Sequence, residues 1–292
     1  MTGVAAECHA HIAMDGVNYK HAMARHENGP DEAHIRACFE EYRRHGIAFM
    51  RDGGDKYGVS QRAKSIAPEY GVDYRSPLFA IHEKGNYGSI VGRAFADLRE
   101  YAELVDEAAR SGADFIKIMT TGIMDFNQFG RITHHDLEAP KVREMVHIAH
   151  EHGLAVMSHT NGKRAVMDAV EAGVDSVEHG NYIDDECIAA LAQSRTCFVP
   201  TACVARNLIG RDLFDDTALA RIWEASRCAI AAAVEAGCLV AIGSDAGAVG
   251  VLHGRGALDE YACFADAVAD KALLDKRLAA GEDFIRTTFQ RR

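Results

Sequence analysis

Short apolar runs recur along the chain, and their alternation with helical stretches is the feature that most constrains the fold. Each run is as long as a β-strand and leads into a polar loop. The stretch that follows usually has apolar residues every three or four positions, the period of an amphipathic helix. The sequence therefore predicts a strand followed by a helix, repeated eight times. The predicted strands lie in residues 4–12, 46–54, 77–85, 114–122, 154–160, 174–181, 197–202 and 239–247.

The clearest helical stretches end in glycine, which suits the left-handed conformation of a helix C-cap. These stretches are residues 31–46, 97–112, 141–153 and 222–237. Parallel strands need helical crossovers, so eight such units in about 250 residues predict a closed (β/α)₈ TIM barrel, an α/β fold. An open doubly wound sheet is the alternative, but neither of its usual glycine-rich nucleotide turns, G-x-G-x-x-G and G-x-x-x-x-G-K-[ST], occurs here. We expect one barrel domain over residues 1–292, closed by a helix near residues 271–292.

Composition and charge restrict the partners and the compartment. The chain carries 43 acidic against 32 basic residues, a net charge of −11 that repels phosphate backbones and anionic lipid surfaces. No apolar run approaches the roughly 18 residues of a membrane span, and the start of the chain does not look like an export signal. The eight cysteines are scattered without a C-x-x-C pair, as expected of thiols in a reducing compartment. We therefore expect a cytoplasmic protein that acts on a small molecule and binds neither nucleic acid nor membrane.

A pair of histidines occupies the first predicted strand. Residues two apart in a strand point to the same side, so His9 and His11 are expected to face the barrel mouth, and Cys8 and Ala10 to face away. Two imidazoles on one face are a typical metal-binding pair. With 15 histidines in the chain, about one H-x-H pair arises by chance, and residues 150–152 form another on a predicted helix. The position at a strand end is what distinguishes the first pair.

Four more residues with metal-binding or catalytic chemistry lie at predicted strand ends, where TIM barrels build their active sites. They are Lys117 in the fourth run, His159 in the fifth, His179 in the sixth and Asp245 in the eighth. A buried ammonium costs several kcal/mol unless it is paired or neutral, so Lys117 needs a specific role. It is a salt-bridged core lysine, a Schiff-base nucleophile or a lysine carboxylated by carbon dioxide. The carboxylated form is an anion that can bridge two metal ions.

Taken together, these residues resemble the pattern of the amidohydrolase superfamily, whose members are metal-dependent hydrolases on a (β/α)₈ barrel. That family carries H-x-H on its first strand, a carboxylated lysine on the fourth, histidines on the fifth and sixth, and an aspartate on the eighth. The segments DFIKIMTTG, SVEHGN and GSDAG followed by LHGRG look like the branch that contains imidazolonepropionase and the prolidase-like Xaa-Pro and Xaa-Arg dipeptidases. The resemblance covers about residues 5–262. Its metal-ligand positions fall on His9, His11, Lys117, His159, His179 and Asp245.

The resemblance implies a site with two divalent metal ions, zinc being the expected metal. His9, His11 and Asp245 would hold one ion. The two remaining histidines would hold the other, with the carbamate that carbon dioxide forms on Lys117 bridging both. A bridging hydroxide would then attack an amide carbonyl, and Asp245 would take the proton and pass it to the leaving nitrogen. The implied reaction is hydrolysis of a C–N amide bond in a dipeptide, an N-acyl amino acid or, as in imidazolonepropionase, a cyclic amide.

Two features depart from the pattern of that branch. The chain opens almost on its first barrel strand, so we expect no accessory β-sandwich beside the barrel. Mononuclear deaminases of the superfamily carry a glutamate proton shuttle three residues after the fifth-strand histidine, and this position is Gly162 here. The glycine and Lys117 together favour a two-metal hydrolase over a deaminase.

Polar residues in the loops after the strands are the candidates for substrate recognition. His82 is the expected hydrogen-bond donor to the oxyanion, and Asp52 is expected to brace the loop after the second strand. A fixed cation that faces the metals would indicate a substrate with a free carboxylate. The expected substrate-binding residues are Tyr87, Arg131, Arg206, Asn207 and His253.

Two functions from other classes stay open on the sequence alone. Lys117 could serve as the Schiff base of a metal-free barrel lyase, or the chain could be a non-catalytic binding protein. Neither the nucleophile motif G-x-S-x-G nor the metalloprotease motif H-E-x-x-H occurs. A homo-oligomer is an expectation from the family alone.

Overall fold

Parallel β-strands form in all eight predicted runs, in a computed structural model that describes residues 4–291. The strands are β1 (Ala6–Ala10), β2 (Phe49–Asp52), β3 (Asp73–Arg75), β4 (Ala80–Glu83), β5 (Gly92–Phe95), β6 (Ile116–Met119), β7 (Val156–Thr160), β8 (Ser176–His179), β9 (Cys197–Val199) and β10 (Leu239–Val240). The apolar pattern does not predict β3 and β5, because they have three and four residues and are partly exposed.

The strands close into a barrel. One ladder runs β1-β2-β3, and a second runs β10-β9-β8-β7-β6-β4 and ends at β5. On one side the two ladders meet where Cys8 N donates to Ile242 O, just after β10, at 2.8 Å. On the other side β3 pairs with β2 and β4 pairs with β6, and the short segment 76–79 connects β3 to β4. Asp55 N also donates to Leu78 O there, at 3.0 Å. The predicted (β/α)₈ barrel is therefore confirmed.

Helices surround the strands, and local sequence sets their ends. Asp31 accepts hydrogen bonds from the backbone N–H groups of Ala33 and His34, which satisfies two free donors in the first turn of the helix that follows. Gly237 adopts a φ of 86° after the longest helix, as predicted for a glycine C-cap. The helices are α1 (Tyr19–Arg25), α2 (Glu32–Arg44), α3 (Val59–Ile66), α4 (Leu98–Arg110), α5 (Ala139–Glu151), α6 (Lys163–Ala172), α7 (Asp185–Gln193), α8 (Cys203–Leu208), α9 (Asp216–Ala236), α10 (Arg255–Ala267) and α11 (Lys271–Thr288), with one 3₁₀ turn at Ala67–Tyr70.

The amino end of the barrel is filled by apolar side chains and covered by α11. Phe49 of β2 and Met157 of β7 belong to one buried cluster that reaches across the barrel. Ile285 of α11 and Phe289, just after it, complete this cluster. The predicted closing helix is therefore present, and it seals the end opposite the predicted metal ligands.

Three further observations concern the described residues 4–291 as a whole. Every ladder between their named strands is parallel, so they form no accessory β-sandwich. None of their helices combines the length and the apolar character that crossing a membrane requires. Their eight cysteines are free thiols.

A bulge in β1 changes which residues face the barrel interior. Between Glu7 and Ala10 the register shifts, so that three steps along β1 match two along β2. As a result Cys8 joins the apolar cluster inside the barrel, while His9 next to it also turns inward. The expectation that Cys8 faces away from the interior is wrong, because strict alternation holds only in a regular strand.

Candidate metal centre

The carboxyl ends of the strands bring together the six residues predicted as metal ligands. His9 Nε2 and His11 Nε2 each lie 3.5 Å from Asp245 Oδ1. The ring centroid of His179 lies 5.0 Å from that of His9 and 4.5 Å from that of His159. The positions in the fold are His9 in β1, His11 just after it, Lys117 in β6, His159 in β7, His179 at the end of β8 and Asp245 after β10.

Each of the four imidazoles uses one ring nitrogen for a hydrogen bond to the surrounding scaffold. Where the partner is a carboxylate or carbonyl oxygen, the paired nitrogen carries the proton. The second nitrogen then keeps the lone pair that a metal ion needs. The pairs are His9 Nδ1 with Glu178 Oε2 (2.7 Å), His11 Nδ1 with Gly54 O (3.4 Å), His159 Nε2 with Gly122 O (3.0 Å) and His179 Nδ1 with Thr201 Oγ1 (2.7 Å).

Two buried nitrogen atoms at the centre of this group have no hydrogen-bond partner among residues 4–291. They are His9 Nε2 and Lys117 Nζ. Burial lowers the pKa of Lys117 to about 8 and the pKa values of His11 and His159 to about 3, because a low-dielectric site disfavours the charged form. Burial also raises the pKa of Asp245 to about 6. Neutral imidazoles, a carboxylate and an unpaired amine form a donor set that fits divalent metal ions, with the amine as the site of carboxylation.

Two of these residues hold an unusual backbone conformation. Asp245 has a φ of 61° and His179 a φ of 70°, in the left-handed region that residues other than glycine seldom adopt. The Asp245 N–H donates to the carbonyl oxygen of His9 at 2.7 Å, which fixes the turn after β10 against β1. Such strain is common at functional sites, where the surrounding structure holds it in place.

A buried ion pair lies beneath His9 and was not among the predicted site residues. Glu178 accepts from His9 Nδ1 through Oε2 and from Arg51 Nη2 through Oε1, the latter at 2.8 Å. Arg51 is fully buried, and its guanidinium stacks over the ring of Phe289 at 4.3 Å. A signal for this pair exists in the sequence, since FMRDG and SVEHG place the charged residues Arg51 and Glu178 inside apolar strands.

Asp52 braces the loop after β2, as predicted. Its carboxylate accepts from the backbone N–H of Ile12 at 2.8 Å, from that of Gly54 at 2.6 Å and from Ser60 Oγ at 2.8 Å. The Gly54 carbonyl in turn accepts from His11 Nδ1. Asp52 therefore ties the segment after β1 to the loop that orients His11.

Comparison with known protein families gives a match along almost the whole chain. The sequence profile of the Amidohydrolase family matches residues 7–284. The chain belongs to the amidohydrolase family. This confirms the family resemblance that the strand-end residues predict.

Similar proteins share less than a third of their aligned residues with this chain and are longer than it is. An uncharacterized protein of Mycobacterium tuberculosis is 29% identical over 267 residues, which cover 86% of this amidohydrolase and 65% of that protein. Ochratoxinase of Aspergillus niger is 25% identical over 224 residues, 74% of this chain and 42% of that enzyme. The structure of a Xaa-Pro dipeptidase with bound methionine has a TM-score of 0.77 at 19% identity, over 97% of this chain and 75% of that chain. The amidohydrolase chain thus spans at most 65% of the length of these two curated relatives, and the structural likeness shows a shared fold.

A cavity of about 320 Å³ opens over the predicted ligands of this family member. Its volume lies at the lower end of the range for small-molecule sites, about 300 to 1,000 Å³. Lys117, His159 and Asp245 line its floor, and Phe126 and Phe214 are part of an apolar wall. The centre is therefore accessible to a small molecule through an apolar enclosure.

The predicted substrate-binding residues fall into two groups. Tyr87 lines the cavity and packs on the ring of His159, one of the predicted ligands, with 4.9 Å between centroids. The two arginines do not line it: Arg131 lies 3.5 Å from Asp125, and the Arg206 guanidinium pairs with the exposed Asp266. Neither arginine therefore provides the fixed cation that would mark a carboxylate substrate.

Asn207, His253 and His82 also lie outside the cavity lining. Asn207 Nδ2 donates to Gly250 O at 3.1 Å, and His82 Nδ1 donates to the carbonyl of Glu83 at 2.9 Å. The expected roles of these three side chains in substrate binding and oxyanion stabilisation have no geometric support, because none of them lines the cavity and both ring nitrogens of His253 already hydrogen-bond to the scaffold.

Three histidines outside the candidate metal centre hydrogen-bond to the backbone carbonyls of the three residues that follow His11. His34 and His253 donate from Nε2 to these carbonyls and accept at Nδ1, His34 from Arg25 Nη1 and His253 from Tyr42 Oη. His34, Cys38 and His253 lie close enough together to suggest a second metal site. The histidines of that group have no lone pair to spare, so the group is structural. The three donor pairs are His34 Nε2 to Ile12 O (2.9 Å), His26 Nε2 to Ala13 O (3.1 Å) and His253 Nε2 to Met14 O (2.8 Å).

Proposed function

We propose that this chain is a metal-dependent hydrolase that cleaves a C–N amide bond in a small molecule. The observation that carries the proposal is the amine of Lys117, buried without a hydrogen-bond partner on the floor of a cavity that also exposes ligand histidines and Asp245. An unpaired polar atom at such depth is costly unless a further group satisfies it. Carboxylation of the amine and metal binding supply that group.

The residues divide into two sets of ligands. His9, His11 and Asp245 would hold one ion, since their ligand atoms all lie within 4.8 Å of one another. His159 and His179 would hold the second, and Lys117, carboxylated by carbon dioxide, would serve both. Two divalent ions, zinc being our expectation, would lower the pKa of a water molecule and polarise the amide carbonyl.

Side chains of the protein would then transfer the proton and limit the access of water. Asp245 lies at the cavity floor with its carboxylate partly accessible, so it can take a proton there and deliver it to the leaving nitrogen. The leaving nitrogen needs this proton, because an amide anion is a very poor leaving group. Tyr87 and the apolar wall limit the water that reaches the reacting bond.

The family comparison supports this proposal without fixing the substrate. The relatives carry the names ochratoxinase and Xaa-Pro dipeptidase, which point to different molecules. A dipeptide, an N-acyl amino acid and a cyclic amide all suit the proposed ligand set, and all three belong in the substrate screen.

Metal content tests the proposal most directly. Protein expressed with zinc and bicarbonate should contain about two divalent ions per chain by inductively coupled plasma mass spectrometry, and Lys117→Ala should contain fewer. Lys64→Ala is the matched control, because Lys64 is a half-buried lysine that pairs with Asp114, away from the ligands. Zero or one ion, with no response to Lys117→Ala, would refute the bridged site.

Turnover gives the second test. Asp245→Asn should lose hydrolysis of any amide found in the screen by about 100-fold or more, since it removes the proton carrier. Unchanged turnover in Asp245→Asn would refute the assigned role. Trapping of a substrate adduct on Lys117 by borohydride would replace the hydrolase with a Schiff-base enzyme.

A further inference from the structure

The floor of the cavity, where the predicted ligands lie, is polar, and much of the rest of its lining forms an apolar wall. Within residues 4–291, Lys117 is the sole lysine or arginine in its lining. The apolar wall includes Ile90, Met124, Phe126, Val204, Leu208 and Phe214. A substrate group that extends from the reacting bond along this wall meets hydrocarbon and aromatic surface and no cation.

Arginines near the mouth are already engaged elsewhere. Arg221 stacks on Phe129 at 4.2 Å, and Arg206 stacks on Trp223 at 5.3 Å. Arg131 has a side chain 60% exposed to solvent. Recruiting any of them to a substrate carboxylate would break these contacts or order an exposed side chain.

Two aromatic side chains form the outer part of the wall, and they come from different loops. Phe126 follows β6, and Phe214 precedes α9; their ring centroids are 5.0 Å apart. The backbone N–H of Asp215 donates to Asn127 Oδ1 at 3.0 Å, which joins the two loops one residue beyond each ring. This link fixes the aromatic pair as a preformed surface, a geometry that favours a flat apolar group.

We propose that the substrate carries an uncharged, ring-bearing apolar group on the side of the amide that faces Phe126 and Phe214, and no carboxylate there. The inference rests on the proposed function only for the position of the reacting bond. A carboxylate on this wall would lose its water without gaining a partner, whereas an aromatic ring would bury apolar area at no such cost.

A matched pair of amides tests the substrate class. N-acetylphenethylamine and N-acetylphenylalanine share the same reacting amide and a single ring, and the carboxylate by which they differ lies on the same side of the amide as that ring. The metal-loaded enzyme should hydrolyse the uncharged amide with a kcat/KM at least about 10-fold higher, because the site leaves a carboxylate unpaired. A kcat/KM for N-acetylphenylalanine equal to or higher than that for N-acetylphenethylamine would overturn the inference while leaving the hydrolase proposal intact.

The wall itself is tested by Phe214→Ala. This variant should raise KM for N-acetylphenethylamine about 10-fold with little change in kcat, because the contact exists before and during the reaction. Phe284→Ala, a half-buried phenylalanine at the opposite end of the barrel, is the matched control and should leave KM unchanged. An identical KM in wild type and Phe214→Ala would overturn the assignment of the wall.

Binding separates this inference from the hydrolase proposal. Calorimetric titration of the metal-loaded Asp245→Asn variant with both amides measures affinity without turnover. Preferential binding of N-acetylphenethylamine, weakened by Phe214→Ala, would support the substrate class even if the wild type hydrolyses neither compound. Equal binding of both amides, unaffected by Phe214→Ala, would overturn it.

Discussion

Replacing Arg51 by methionine should destabilise the protein far more than an ordinary arginine substitution. The guanidinium is fully buried and donates to Cys8 O at 2.6 Å, to Ser176 Oγ at 2.8 Å and to Glu178 Oε1 at 2.8 Å. Methionine fills similar space but leaves the Glu178 carboxylate buried without its counter-charge. Breaking a buried pair in this way typically costs about 3–5 kcal/mol in the free energy of unfolding.

Urea unfolding of the metal-free protein, followed by circular dichroism, measures this cost without the contribution of metal binding. Arg62→Met is the matched control, because Arg62 pairs with Glu32 on the surface, where a pair is worth about 0–1 kcal/mol. The double variant Arg51→Met, Glu178→Gln removes both charges and should recover at least about 1 kcal/mol of the loss. A loss in the free energy of unfolding for Arg51→Met no larger than for Arg62→Met would show that the buried ion pair contributes no more to stability than a surface pair.

Three further predictions concern the surroundings of the metal centre. Gly53→Ala should weaken zinc binding, because an added Cβ would collide with the imidazole of His11; isothermal titration with zinc checks this, and wild-type affinity would contradict it. Glu178→Gln should lower zinc affinity about 10–100-fold in the same assay, because one amide oxygen cannot accept from both His9 and the arginine below it. Burial lowers the pKa of His253 to about 4, so the unfolded chain, with an ordinary pKa near 6.5, takes up the proton first and stability falls as pH drops below about 6.5. The loss should reach about 2 kcal/mol at pH 5 and be smaller in His253→Gln; equal pH profiles in urea unfolding would refute it.

The barrel was predictable because its strands are buried on both faces. Such strands read as unbroken apolar runs, and DFIKIM or LAVMSH needs no alternation to be recognised. Short wall segments such as β3 and β5 carry too few apolar residues for this signal. The bulge in β1 was not predictable either, because it depends on how β1 and β2 align in three dimensions.

The clustering of side chains at the candidate metal centre was predictable for a different reason. Its six residues each sit at a strand end, and a barrel gathers strand ends at one rim, so order along the chain becomes proximity in space. The substrate-binding residues were not predictable in this way. Arg131 and Arg206 follow strands as Tyr87 does, but of these three residues only Tyr87 lines the cavity. Loop conformation decides that direction, and neither residue type nor spacing encodes it.

The column of side chains on the barrel axis has a consequence for the order of assembly. Phe289 packs on one face of the Arg51 guanidinium. Arg51 donates a hydrogen bond to Glu178, and Glu178 accepts a second one from His9. Before α11 docks, we expect water to reach the guanidinium and to compete for the Glu178 carboxylate that orients His9. Because α11 is synthesised after β8, we expect His9 to gain its final orientation only when this later segment docks. We therefore expect the candidate centre to reach its final geometry only after α11 has closed the amino end of the barrel.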